Sequence, residues 1–380
     1  MANGFCPSIL RHIRDIGVTN PETKIPNLGF LQMLLCCMDG TMGLSDGYDR
    51  GHNRNVNIWY RDRIPTSAVQ DSAASCETGI TRARKEFTLP SLLTDSIGIF
   101  FDDSLIRQYC VDASDKKRVP GSTTDFMAEV WDGIIAGVSA LLRRMDQRLI
   151  TQMSTQFGVN VTTGSSDAKK LNTDPNDPYF KQILMKLITD FRKNEFCENP
   201  CIVGNGDFAN FETIRRIFGD LDRQGINPSK LASLMPTVYE DGYTEDAWGE
   251  NMFGVFEKGS LGLITYPQYV GSFAGRRGNS DFFSFPVPTN EYTCPQQCLD
   301  ALTFDMQIRE LDCKQTVDVG GVETEVGPGV HVMISKQYSL FVKPDSLYVT
   351  GDPLAGTNGT LLYEISESVT PPDNGSGDGE

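Results

Sequence analysis

The sequence predicts an α+β fold. Three observations carry that expectation: one unusually long amphipathic helix in the first half, a strand–turn–helix segment near the middle, and roughly the last hundred residues patterned mostly as strands. With 380 residues the chain can bury a substantial core. Its 36 Gly and 20 Pro, set against 39% hydrophobic and 22% charged residues, announce many turns and long loops.

The elements follow in order. Residues 1–61 hold short apolar pieces separated by Gly, Asn and Asp, as in Asp39-Gly40-Thr41-Met42-Gly43-Leu44-Ser45-Asp46-Gly47. Such a segment does not easily make a core of its own; it reads either as an arm laid over something else or as an irregular domain edge. Its most apolar run, Leu28 to Met38, is about eleven residues long, far short of the roughly 20 that span a bilayer, and reads as a buried helix or strand. In 62–121, Phe87-Thr88-Leu89 and Ile97 to Phe101 are strand candidates. Punctuated by Pro90, Asp102-Asp103 and Pro120-Gly121, they suggest a long two-stranded excursion that ends in the charged stretch Asp115-Lys116-Lys117-Arg118.

Phe126, Val130, Ile134, Val138, Leu141, Met145, Leu149 and Met153 recur at spacings of three and four, the mark of an amphipathic helix. Ser122 to Thr124 offer N-caps, and Gly158 stands where a C′ glycine belongs. Some 30 residues at 1.5 Å each give a rod on the order of 45 Å. After a Gly/Ser/Asp/Pro-rich connection over 162–177, Pro178, Phe180, Ile183, Leu184, Leu187, Ile188 and Phe191 predict a second helix. Cys201-Ile202-Val203 reads as a strand, 207–218 as a third helix and 228–234 as a short one. Phe253 to Phe256, Leu261 to Tyr266, Phe304 to Ile308, Val330 to Ile334, Ser339 to Val342 and Leu361 to Ile365 read as strands. The tail 366–380, rich in Pro, Gly, Ser and acid, reads as disordered.

A net charge of −16 argues against a nucleic-acid reader, which needs clustered Lys and Arg. Ten cysteines are too sparse for a disulfide scaffold and the first residues carry no signal-peptide pattern, so reduced cytoplasmic thiols are the expectation.

Motifs for chemistry are weak throughout. Gly204-x-Gly206-x-x-Ala209 sits between a strand and a helix, as a dinucleotide-binding turn must. Against an oxidoreductase built on it, Asp207 would put a negative charge where a pyrophosphate sits, and no βαβαβ series follows. An Asp N-cap accounts for the same residues. Asp220, Asp222, Gln224 and Gly225 imitate the start of a calcium loop, but its twelfth position is Leu231, so a solvated turn is the reading. Cys197, Cys201, Cys294 and Cys298, with Cys313 beyond, have spacings open to a zinc site, although buried free thiols explain them as well. Three histidines, His12, His52 and His331, stand beside no nucleophile signature. Gly164 to Lys170 lacks the second glycine of a phosphate-binding loop, and the acid pairs Asp102-Asp103 and Glu240-Asp241 read as chance among 50 acids. No catalytic, cofactor-binding or metal residue is therefore assigned.

The order of elements resembles the major capsid protein family of tailed double-stranded-DNA bacteriophages, including members from phages of gut bacteria. The stretches that carry the likeness are Asn199 to Phe211, with a small polar turn before Asp207-Phe208, then Gly254 to Thr265, Tyr338 to Pro344 and Gly356 to Thr360. The resemblance implies an N-terminal arm over 1–61 and an extended β hairpin loop over 62–121. It implies a peripheral domain over 122–196 whose spine helix is Thr124 to Phe157, an axial domain over 197–329, and a C-terminal β return to the peripheral domain over 330–365. It implies a non-enzymatic subunit that assembles with itself into hexamers and pentamers of an icosahedral head shell, built in the host cytoplasm and enclosing DNA by proximity only. A portal and, since no charged helical extension precedes the arm, a separate scaffolding protein are expected partners. Some relatives cross-link through a lysine, but neither Lys85 nor Lys117 aligns to that role. An encapsulin-like compartment shell is the nearest alternative.

Overall fold

A computed structural model describes residues 28–36, 56–61, 84–89, 92–102, 122–172, 183–196, 200–205, 237–269, 274–287, 302–311, 315–319, 322–326, 329–344 and 356–366. In chain order these form α1 (Gly29–Cys36), β1 (Val56–Arg61), β2 (Arg84–Leu89), β3 (Leu93–Asp102), α2 (Ser122–Met153), β4 (Lys169–Asn172), α3 (Ile183–Lys193), β5 (Cys201–Gly204), β6 (Thr237–Glu240) and α4 (Tyr243–Trp248). There follow β7 (Met252–Phe256), β8 (Leu261–Tyr266), β9 (Gly275–Arg277), β10 (Ser280–Val287), β11 (Leu302–Leu311), β12 (Gln315–Val319), β13 (Val322–Val326), β14 (Gly329–Val342) and β15 (Thr360–Ser366).

β14 organises the larger, antiparallel sheet, whose order is β3-β14-β11-β10-β9 with β8 also on β14. Its residues Gly329 to Tyr338 pair with β3, Gly329 to Ser335 with β11, and Gln337 to Val342 with β8. α2 lies on this sheet, against β3 and β14. The spacing of its apolar residues dictates that placement: Ile134, Val138, Leu141, Met145, Leu149 and Met153 are all buried. Two glycines set how close it comes. A Cβ on Gly137 would stand 3.0 Å from Ile99 and 3.4 Å from Ile334, and one on Gly133 would touch Phe101 at 3.4 Å. A fully buried Leu or Ile contributes about 1.5–3 kcal/mol, so this stripe is the principal fastening between helix and sheet.

The second sheet is mixed, in the order β4-β15-β7-β5-β6. β15 pairs parallel to β4 and antiparallel to β7, while β5 pairs antiparallel to β7 and parallel to β6. α3 covers it with Leu187 and Phe191 over Leu171, Ile202, Phe253, Val255, Leu361 and Tyr363, where Phe253 and Tyr363 stack at 5.3 Å. The sheets do not follow chain order. β10 and β11, inside 197–329, join the sheet beneath α2, and β15, inside 330–365, joins the other.

The reading of Leu28 to Met38 as a buried helix or strand resolves to a helix, α1, buried in the chain's own core: Phe30, Leu31, Met33 and Leu34 are all buried. Phe30 meets Trp248 edge-on at 6.1 Å and Phe256 at 5.8 Å. The strands at 87–89 and 97–101 exist but do not pair with each other; β2 pairs with β1 and β3 with β14. The two strands expected at 330–334 and 339–342 are one, β14.

α2 stops at Met153, not Phe157, because the β15 approach intercepts its end. Asn358 Nδ2 donates to the Gln156 carbonyl at 2.9 Å and the Gly158 N–H donates to the Thr360 carbonyl at 3.1 Å. Gly158 is not a left-handed cap. It is a close-approach residue, whose Cβ would lie 2.2 Å from Asn358 Oδ1. The connection 162–177 contains the short strand β4, missed because KKLN has no strand pattern. The start of the second helix before Ile183, the helices at 207–218 and 228–234, the charged stretch 115–118 and the tail from Glu367 lie outside the described residues.

Candidate functional site

Four polar groups among the described residues are buried between elements. Tyr338 on β14 donates its hydroxyl to Asp95 Oδ2 on β3, and Arg148 on α2 donates to Asp95 Oδ1 at 2.5 Å. Burial and then the Asp95 carboxylate push the Tyr338 hydroxyl far above its ordinary value, so it stays a donor. The group clamps helix to sheet at the end where β14 leaves β3.

Asp305 on β11 is fully buried and accepts from the backbone N–H groups of Gln268 and Tyr269, at 2.8 and 3.2 Å, and from Ser284 Oγ at 2.6 Å. It thereby fixes the chain after β8. Beside it Lys336 is buried, donates to the Thr303 carbonyl at 2.6 Å and lies 5.6 Å from the Phe304 ring centre. Burial lowers its ammonium to about 8, opposed by Asp305.

A third group ties the second sheet to α3. Lys169 on β4 pairs with Asp190, Asn194 Nδ2 donates to Asn160 Oδ1 at 3.1 Å, and Asn194 Oδ1 accepts the Val161 N–H at 3.0 Å. Burial, then the Asp190 charge, raise the nearby Tyr363 hydroxyl strongly.

The fourth group holds α1. Phe30 N–H donates to Asp241 Oδ2 and Leu31 N–H to Asp146 Oδ1, each at 2.9 Å. Sequence reading set Asp241 aside as a chance acid. A signal was nevertheless present: Asp146 stands on α2 in the row Leu142, Asp146, Ile150, one side chain per turn, where both neighbours are buried core residues.

None of these groups aligns a nucleophile, a base and an open cleft. Of the motifs weighed earlier, the strand before Gly204-x-Gly206 is present, and its mouth is bounded by acids. Gly204's carbonyl accepts the Asp241 N–H at 2.8 Å and Asn205 Nδ2 donates to Glu245 at 3.4 Å. A pyrophosphate would meet repulsion there. Gly206 and Ala209, together with Asp220 to Leu231, lie outside the described residues. Cys201 is disulfide-bonded, which overturns the expectation of a free thiol and removes it from any four-thiolate zinc set. Its possible companions Cys197, Cys294, Cys298 and Cys313 lie outside the described residues, as do His12 and His52. His331 faces Gly98, where a Cβ would come within 2.6 Å of Nε2, and burial, then Arg309, lower its imidazole. Among the described residues no group of three His, Cys, Asp or Glu is placed to hold a metal, and no helix is long and apolar enough to cross a membrane.

No family model and no curated protein sequence matches the chain. Solved structures it is similar to include phage capsids and a virus-like particle. The cyanophage A-1(L) capsid asymmetric unit aligns at 10% identity and a TM-score of 0.42, covering 82% of this chain and 87% of that one. The capsid of cyanophage P-SCSP1u aligns at 9% and 0.38, covering 83% and 84%, and the virus-like particle from Pyrococcus furiosus at 9% and 0.33, covering 80% and 86%. At these TM-scores the likeness by itself carries no functional assignment.

Proposed function

We propose that the chain is the major shell-forming subunit of a tailed-phage head, a structural protein that assembles with itself into hexamers and pentamers around packaged double-stranded DNA. The observation that carries this reading is the ribbon of β1 and β2. It is a two-stranded antiparallel sheet that, among the described residues, pairs with no third strand. Its register sets Val56 opposite Leu89 and Ile58 opposite Phe87. A lone two-stranded ribbon is marginal in water and gains stability only when an apolar side is covered. Strand alternation gathers those four apolar positions on one side, so a neighbouring subunit is the natural cover, and closed symmetric assembly is the way such a contact repeats without fibres.

Two further features support the reading. Among the described residues the polar groups fasten one element to another, as suits a structural role. The charge of −16 lets the subunit line a DNA-filled space without gripping it. The proposal extends to a separate scaffolding protein and a portal as partners, to the virion head as location, and to the host cytoplasm as place of assembly.

The test is negative-stain electron microscopy of the purified protein, alone and co-expressed with the product of the adjacent upstream gene. Closed shells or five- and six-fold capsomers in either sample support the proposal, and shells in the first alone remove the need for a separate scaffold. A monodisperse monomer or dimer in both overturns it. Shells that hold a cargo enzyme and no DNA would reassign the protein to a cellular compartment.

A further inference from the structure

α1 is joined to the body of the chain through two buried acids. Asp146 is 0% exposed and Asp241 2%. Asp241 uses both its oxygens as acceptors, Oδ2 from the Phe30 N–H at 2.9 Å and Oδ1 from the Tyr243 N–H at 3.0 Å. Asp146 Oδ1 accepts the Leu31 N–H, but its Oδ2 is buried with no hydrogen-bond partner. A buried carboxylate oxygen without a donor is among the costliest groups a core can hold.

Among the described residues, the elements packed against α1 bring no cation to the pair. From α1 come backbone N–H groups, since Gly29 to Leu35 carry no ionisable side chain. Their aligned dipoles supply about half a positive charge, enough to steady one carboxylate and not two. β6 brings Tyr239 and Glu240, α4 brings Tyr243, Glu245 and Asp246, β8 brings Tyr266, and β5 brings only Cys201, already in a disulfide. On α2 itself Arg143 and Arg144 are exposed and Arg148 is engaged with Asp95. Burial first, then the charge of Asp241, raise the Asp146 carboxyl well above 3.8, with the Leu31 N–H opposing.

We infer that Asp146 and Asp241 hold one proton between them, and that this proton latches α1 onto the subunit body. The proton resides on Asp146 Oδ2, the oxygen that no backbone N–H reaches, and is directed toward Asp241 beneath the first turn of α1. Its loss leaves two buried anions in contact, and the cheapest relief is for α1 to lift away, uncovering Phe30 and Met33. The sign follows from the raised value: the docked state binds more protons than the undocked one. Docking is therefore strongest below the ordinary carboxylate range, weakens as pH rises toward the elevated Asp146 value, and is level above it.

Hydrogen exchange of peptides covering 28–36 in the full-length protein, corrected for the intrinsic pH dependence of exchange, reads the opening constant directly. In the wild type it is expected to rise by up to about tenfold per pH unit across that window, the slope for release of one proton. Asp146→Asn keeps the acceptor for Leu31 and places a permanent donor toward Asp241, so its opening constant should be low and flat with pH. Asp241→Asn sacrifices one of two acceptors already in use but leaves Asp146 buried, so its opening constant should be high at every pH and still rise with pH. A flat wild-type profile, or an Asp146→Asn slope equal to that of the wild type, overturns the inference. Should Asp146→Asn fail to fold, the infrared spectrum of the wild type decides. A buried carboxylic-acid C=O band that disappears in step with the loss of protection supports the shared proton, and absence of the band at every pH overturns it.

Discussion

At Tyr338 a single hydroxyl joins β14, β3 and, through Asp95, α2. Because its acceptor is charged and the tyrosine is buried, Tyr338→Phe should lower stability by about 1.5–3 kcal/mol, seen as a lower urea midpoint at unchanged slope. Lys336 works in the other direction. Its ammonium is lowered from 10.5 to about 8 by burial, so below pH 8 the folded state carries a charge that it disfavours. As pH rises from about 8 to 10.5 the folded state sheds that proton before the unfolded state does, and stability should increase. Lys336→Met should lack that rise, so its stability relative to wild type should fall as pH passes from about 8 to 10.5, as stability curves of both proteins at several pH values would show. Ser335-Lys336-Gln337 is also where the sequence misleads at this scale. It reads as a polar gap between two apolar strands, yet β14 runs through it because Lys336 finds the Thr303 carbonyl and Gln337 Nε2 finds Thr94 Oγ1 at 3.3 Å. Partners supplied from distant strands leave no local mark in the chain.

Elements whose own periodicity meets one large surface were legible, and those that complete someone else's surface were not. α2 announces itself because its stripe is continuous and packs on one sheet, whereas β4 is polar and exists as a strand only because β15 runs beside it. α1 was legible as apolar but not as part of this chain's own core, since the fit depends on one missing methyl group. A Cβ on Gly29 would stand 2.2 Å from the Glu240 carbonyl oxygen, a backbone atom held in β6. Alanine is the better helix former by about 1 kcal/mol, and an isolated helix would gain from the change. In the folded subunit Gly29→Ala should do the opposite, loosening α1 and lowering the melting temperature, with faster hydrogen exchange confined to 28–36 and the segments that cover it. A raised melting temperature would show that β6 yields.

For the whole molecule, the α+β class and the rough positions of most strands could be read in advance, but the exchange of strands between sheets could not. Pairing between β14 and β3, or β15 and β7, depends on which edges meet after collapse, and each strand pattern would suit either sheet. The same scale governs the proposed assembly. If the ribbon is the contact between copies, Ile58→Asp combined with Phe87→Asp, at paired positions of β1 and β2, should abolish closed particles in sedimentation while the chain stays folded by circular dichroism. Particles of normal size from the double variant would place the contact elsewhere.

The position of β14 in the chain also sets a timetable. β3 ends at Asp102 and α2 at Met153, but the strand that pairs with one and packs beneath the other begins only at Gly329. At about 5–20 residues per second, a ribosome needs on the order of ten to fifty seconds to add the roughly 230 residues between Asp102 and Gly329. Throughout that interval the nascent subunit presents an open strand edge and the apolar stripe of a long helix whose seat has not yet been made. Every copy is therefore born with a sticky interior, so chaperone capacity during synthesis becomes a limit on yield separate from the stability of the finished fold.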